Sequence, residues 1–245
     1  MPDSFVSLTA RFLPVAMLLL AACGPSEEEI DSARNLDQAT RQLTSVCEDF
    51  IQGISDEGQL SRIDMNDYYG GYVDRVQTIE QDLAGKTLVN QYRERRATFD
   101  SVSTQTTELI RLRKRYISDL LDLTDVVEDF RENISRAEES RLGSFYDYLT
   151  EAYLKEREFN RGKDDLDSLR SNLKETAERL NGIVGSYNSS VGRGDLVTRD
   201  SIRHCTNIDS LPQFAGEARV MLEVVEFDYG PYDEVIEEAK GEEEG

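Results

Sequence analysis

Apolar side chains recur along this chain at helical spacing, and for much of its length the period is seven. Ile30, Ala33, Leu43, Val46, Cys47, Phe50 and Ile54 fall on one face of a 3.6-residue turn. They predict a first helix, ended by the Asp56-Glu57-Gly58 stretch. Asp64 to Tyr72 reads as a less regular piece, and helical spacing resumes at Val73, Val76, Ile79 and Leu83. Together these are the N-terminal helices of residues 30–84.

From Leu88 a sustained heptad begins, the mark of a coiled coil. Tyr92, Phe99, Thr106, Arg113, Leu120, Val127 and Ile134 occupy one seam position, and Val102, Leu109, Tyr116, Leu123, Phe130 and Ala137 its partner. The register breaks near residues 141–143, at Gly143, and restarts with Phe145, Ala152, Phe159, Leu166, Leu173, Leu180 and Tyr187. Two repeats of similar length about a glycine predict an antiparallel helical hairpin over 85–191. Val127 then faces Phe159 and Leu120 faces Leu166. Each arm of about 50 residues reaches about 75 Å at 1.5 Å per residue. A helix unbroken through Gly143, turning at Asn160 to Lys163, is the competing geometry. Glu156, Lys163, Arg170 and Arg113 interrupt the seam, which either fixes register at a cost in stability or means that the arms splay or meet a third helix.

Ser189 to Asp195 reads as a loop at the base. Ser210, Pro212 and Gln213 resemble a capped helix start, giving a loop and C-terminal helix over 192–229. Residues 230–245 read as an acidic tail with too little apolar surface to fold alone. The fold class expected is therefore all-α: an elongated antiparallel helical hairpin or coiled coil with additional helices packed at its base.

The chain opens differently. A polar start containing Arg11, the apolar run Phe12 to Leu20 and the small pair Ala21-Ala22 precede Cys23. This is the pattern of a removable signal peptide over 1–22, and the run falls short of the roughly 20 residues a bilayer span requires. Leu20-Ala21-Ala22-Cys23 resembles the lipobox of bacterial lipoproteins. That resemblance implies a thioether-linked lipid on Cys23, cleavage before it, a short tether over 23–29 and anchorage in the cell envelope. In a host with two membranes, Gly24 favours the outer one. Two or three acyl chains hold durably where one does not.

Composition narrows the partners. The formal net charge is −21, and losing Asp3 and Arg11 with the signal leaves it unchanged. Nucleic acid and anionic headgroups are repelled by such a surface, which favours solubility or a basic partner. After Cys23, the remaining cysteines are Cys47 and Cys205, and export makes a disulfide between them the natural reading, with a free thiol as the alternative. His204 is the single histidine, so neither a metal nor a cofactor is expected. Tyr68, Tyr69 and Tyr72 form a candidate interaction patch, because tyrosines are enriched at interfaces; such a cluster is more often a helix joint.

No catalytic motif is present, and an enzyme is not expected. The leading expectation is a lipid-anchored structural or interaction protein, a scaffold or adaptor for another envelope protein. The alternative is a binding module for a small ligand or client chain. The heptads alone allow closure within one chain or between copies, so a homo-oligomer stays open.

Overall fold

Ser26 starts the first helix by a reciprocal cap. Its hydroxyl accepts from the Glu29 backbone N–H at 3.3 Å, while the Glu29 carboxylate accepts from the Ser26 N–H at 2.7 Å. Glu27, Glu28 and Glu29 add negative charge at the positive end of the helix dipole. The computed structural model describes residues 24–54, 62–88, 92–140, 142–190, 201–205, 211 and 227–232. Within them lie four long helices: α1 (Glu27–Gly53), α2 (Arg62–Ala84), α3 (Arg93–Glu139) and α4 (Leu142–Ser189). A 3-10 turn follows at Gly230–Tyr232. The signal segment, Cys23 and the stretch expected as a C-terminal helix, 212–226, lie outside the described residues.

The architecture is the expected one, a helical hairpin with further helices packed against its lower half. Arms α3 and α4 run antiparallel, joined at Ser140 and residue 141. Ser140 ends α3 by turning to extended backbone, with its N–H and hydroxyl both donating to the Ala137 carbonyl at 3.2 and 3.0 Å. At 47 and 48 residues, the arms are about 70 Å long. The turn at 160–163 is excluded, since α4 passes through it without interruption.

Cross-arm contacts keep one register along the hairpin. Lys155 pairs with Asp129 at 3.3 Å, Gly162 lies under Leu123, and Arg179 reaches Gln105 at 3.5 Å. The seam of α3 buries Phe99, Val102, Leu109, Leu120, Leu123, Val127 and Phe130. On α4 the facing positions drift. Gly162 and Leu169 turn inward while Lys163 and Arg170, expected in the seam, are exposed. A 3.6-residue helix falls out of phase with a strict heptad, and here one residue of drift takes both cations out of the core.

Two local expectations change. The polar tether shortens, because the Ser26 cap carries the helix back to Glu27. Asp64 to Tyr72 is helical throughout, continuous with α2. Met65, Tyr69, Val76 and Leu83 form one buried stripe, and their packing outweighs the roughly 1 kcal/mol by which each of Gly70 and Gly71 disfavours a helix.

Packing decides where the extra helices stop. Ser103, Ile110 and Ile117 add a third buried stripe to α3 beside the seam. There α2 runs antiparallel to α3, with Ser103 hydrogen-bonded to Glu80. Helix α1 runs alongside α3 and antiparallel to α2: Lys86 donates to Asn35 at 3.1 Å, and Arg75 pairs with Asp49 at 2.5 Å. One heptad above Ile117, the stripe turns half-buried at Thr124, then exposed at Arg131. Beyond that height the hairpin carries neither α1 nor α2.

Candidate interaction surface

The tyrosines singled out by sequence lie between α1 and α2. Tyr69 is 1% exposed and packs edge-on to Phe50 at 6.0 Å, with Tyr72 against the same ring at 5.2 Å. The hydroxyls of Tyr68 and Tyr72 lie over Gly53, where even a methyl group would meet them. Gly53 therefore allows the two helices their close approach. A neighbouring groove of about 450 Å³, lined by Gln42, Ser45, Val46, Asp74 and Arg75 among others, includes none of the three rings.

Cys47 and Cys205 are joined by a disulfide, with Cα atoms 6.1 Å apart and both residues buried. The bond fastens an extended strap, residues 201–205, to the bundle. Two asparagines of α4 read the backbone of that strap. The Asn188 side chain donates to the Ile202 carbonyl and accepts from its N–H, both at 2.7 Å. Asn181 does the same for Cys205, at 2.9 and 3.0 Å. The spacing is commensurate: seven helical residues rise about 10.5 Å, and three extended residues about 10 Å. His204 projects from the strap and is exposed. Among the described residues, no His, Cys, Asp and Glu set is grouped to hold a metal.

Among the described residues, later parts of the C-terminal region lie progressively nearer the hairpin turn. Leu211 is fully buried, and its carbonyl accepts from Arg113. That contact answers the seam arginine: the guanidinium is buried, stacked over Tyr116 at 5.5 Å and bonded to this segment. Further up, Tyr229 packs edge-on to Tyr153 at 5.2 Å, and Tyr232 meets Phe145 at 5.3 Å. Residues 230–232 thus belong to the folded unit and not to a solvated tail, because Tyr232 has rings to pack on.

The result is an aromatic cap at the tip of the hairpin. Phe145, Tyr146, Tyr148 and Tyr153 come from α4, and Phe227, Tyr229 and Tyr232 from the C-terminal segment, over a small core of Ala137 and Leu149. Tyr229 is buried, while Phe145, Tyr146, Tyr148, Tyr153, Phe227 and Tyr232 are half-exposed. Arg136 places its guanidinium over the Tyr148 ring at 5.9 Å. Burial pushes the Tyr229 phenol well above its ordinary pKa, and the neighbouring Glu156 carboxylate adds to the rise. Glu156, a seam interruption in the heptad, serves this cluster. Glu138, Glu139, Asp147, Glu151 and Asp228, near the rings in the chain, are exposed, as is Arg136.

The surface is not legible in the sequence because its halves are distant in the chain. By spacing alone, Phe145 belongs to the coiled-coil seam and Tyr232 to the acidic tail. A usable signal is the density of rings from Phe145 to Tyr153, where a hairpin turn needs none. No protein-family model, curated protein or solved structure matches this chain. Among the described residues, no helix is long and apolar enough to cross a membrane.

Proposed function

We propose that this chain is a lipid-anchored protein of the cell envelope that acts as a coiled-coil scaffold or adaptor, holding the hairpin tip away from the membrane for a protein partner. The carrying observation is the separation of ends. Asp37, ten residues into α1, lies beside the start of α3 and the end of α4, bonding Arg95 at 2.7 Å and Tyr187 at 2.5 Å, and the part of α1 before it, which leads back towards Cys23, runs from there away from the hairpin turn. The aromatic cap lies at the opposite end of arms about 70 Å long. Half-exposed rings grouped on an otherwise charged arm are the usual mark of an interaction site.

Two measurements test the reading. Cys23→Ser should release the protein from the membrane fraction or leave an unprocessed precursor; wild-type mass and fractionation would end the lipoprotein assignment. A photo-reactive phenylalanine analogue at Tyr146 should trap a defined envelope protein in cells, and one at Asp165 on the middle of the arm should not. Equal trapping at both positions would end the assignment of the tip as the docking point.

A further inference from the structure

The tip has a chemistry that selects its partner. Six half-exposed rings gather there, and five exposed carboxylates neighbour them in the chain. Arg136 over Tyr148 shows that a guanidinium can stack on one of these rings within the protein itself. Rings favour cations over their faces, and partial desolvation beside carboxylates strengthens the preference. Anionic partners are repelled by the same field. From this juxtaposition we propose that the hairpin tip docks an arginine- or lysine-rich segment of a partner protein, with cationic side chains over Tyr146 and Tyr148 and their charge met by Glu138, Glu139, Asp147 and Glu151.

The proposal deepens the adaptor reading, and its test is independent of membrane attachment. The chain from Gly24 onward, which contains every described residue, is titrated with a fluorescein-labelled nona-arginine peptide and followed by anisotropy. Tyr146→Ala with Tyr148→Ala removes no charge, and is expected to weaken binding about tenfold. Asp164→Asn, Asp165→Asn and Asp167→Asn together remove three charges from the middle of α4, and are expected to change binding by less than about twofold at physiological salt, where charges beyond about 8 Å are largely screened. Wild-type affinity in the ring variant, or an equal loss in the mid-arm variant, would overturn the proposal in favour of bulk charge attraction.

Should the ring variant lose helicity, a benzophenone-bearing peptide on the unmodified chain decides the matter. Cross-links concentrated in 142–153 and 227–232 support the site, and cross-links spread along both arms overturn it. Co-sedimentation of the same chain with phosphatidylcholine vesicles, abolished by the ring variant, would also overturn it, because the rings would then be a membrane-inserting tip.

Discussion

Arg95 of α3 and Asp37 of α1 form a buried ion pair, Nη1 to Oδ2 at 2.7 Å, and the second oxygen of Asp37 accepts from the Tyr187 hydroxyl of α4 at 2.5 Å. One carboxylate thus ties three helices at the base of the hairpin. Removing it leaves a guanidinium buried without that charge partner. Asp37→Ala should destabilise the fold by about 3–5 kcal/mol, whereas Tyr187→Phe, which removes a charge-assisted hydrogen bond but no charge, should cost about 1.5–3 kcal/mol. Urea unfolding followed by circular dichroism measures both. A loss under about 1 kcal/mol for Asp37→Ala would mean that the pair is not buried in solution.

The disulfide closes a loop spanning 158 residues of separation, so its removal frees much conformational entropy in the unfolded chain. Cys47→Ser with Cys205→Ser should lower stability by up to roughly 5 kcal/mol in the chain-entropy model. Hydrogen exchange gives the location of the change. The Ile202 and Cys205 amides, held by Asn188 and Asn181, should exchange faster while the α3–α4 seam keeps its protection. Faster exchange throughout the seam would show that the strap is integral to the hairpin and not clipped onto it.

Gly162 and Leu123 offer a steric test of the hairpin register. A side chain at Gly162 would run into Leu123 across the interface. Gly162→Val should therefore destabilise by about 1–3 kcal/mol through overpacking. Leu123→Ala vacates that space, so the double variant should be more stable than the sum of the single losses, by about 0.5–3 kcal/mol. Additive losses would separate the two residues and move the register. Gly71 is the control: open space surrounds it, and Gly71→Ala should stabilise α2 by about 1 kcal/mol.

Tyr229 makes the tip sensitive to alkali. Its phenol has a pKa raised above the unfolded value near 10, so the folded state retains a proton that the unfolded state gives up. The stabilisation is fully present below about pH 10 and is lost as pH rises above it. Tyr153 and Tyr232 fluorescence should report loosening of the cap in that range, and Tyr229→Phe should flatten the transition. An unchanged alkaline transition in that variant would assign it to other groups.

Periodicity makes most of the fold legible in the chain itself. The heptads, a break between them close to the expected 141–143, though it falls at 140–141 with Gly143 already inside α4, and the cysteine pair all rest on local or covalent chemistry. The third α3 stripe, Ser103, Ile110 and Ile117, is equally present in the sequence, but an extra apolar column acquires meaning only when a helix lies on it. Lys163 and Arg170 look like seam faults because a fixed period of seven cannot track a helix that turns every 3.6 residues.

By itself, then, the sequence determined the all-α hairpin, the length of its arms and the acidic surface, since each follows from spacing or from counting. The tertiary structure decided what the hairpin displays. Of the conspicuous cluster, Tyr69 is buried against Phe50, while Tyr68 and Tyr72 lie over Gly53 between α1 and α2 and stay half-exposed. Phe145 and Tyr232, inconspicuous in the sequence, meet at the tip. Side chains contributed by segments far apart in a chain form one surface only through the route the backbone takes, and here that route follows Asn188, Asn181 and Arg113 to the end of the hairpin.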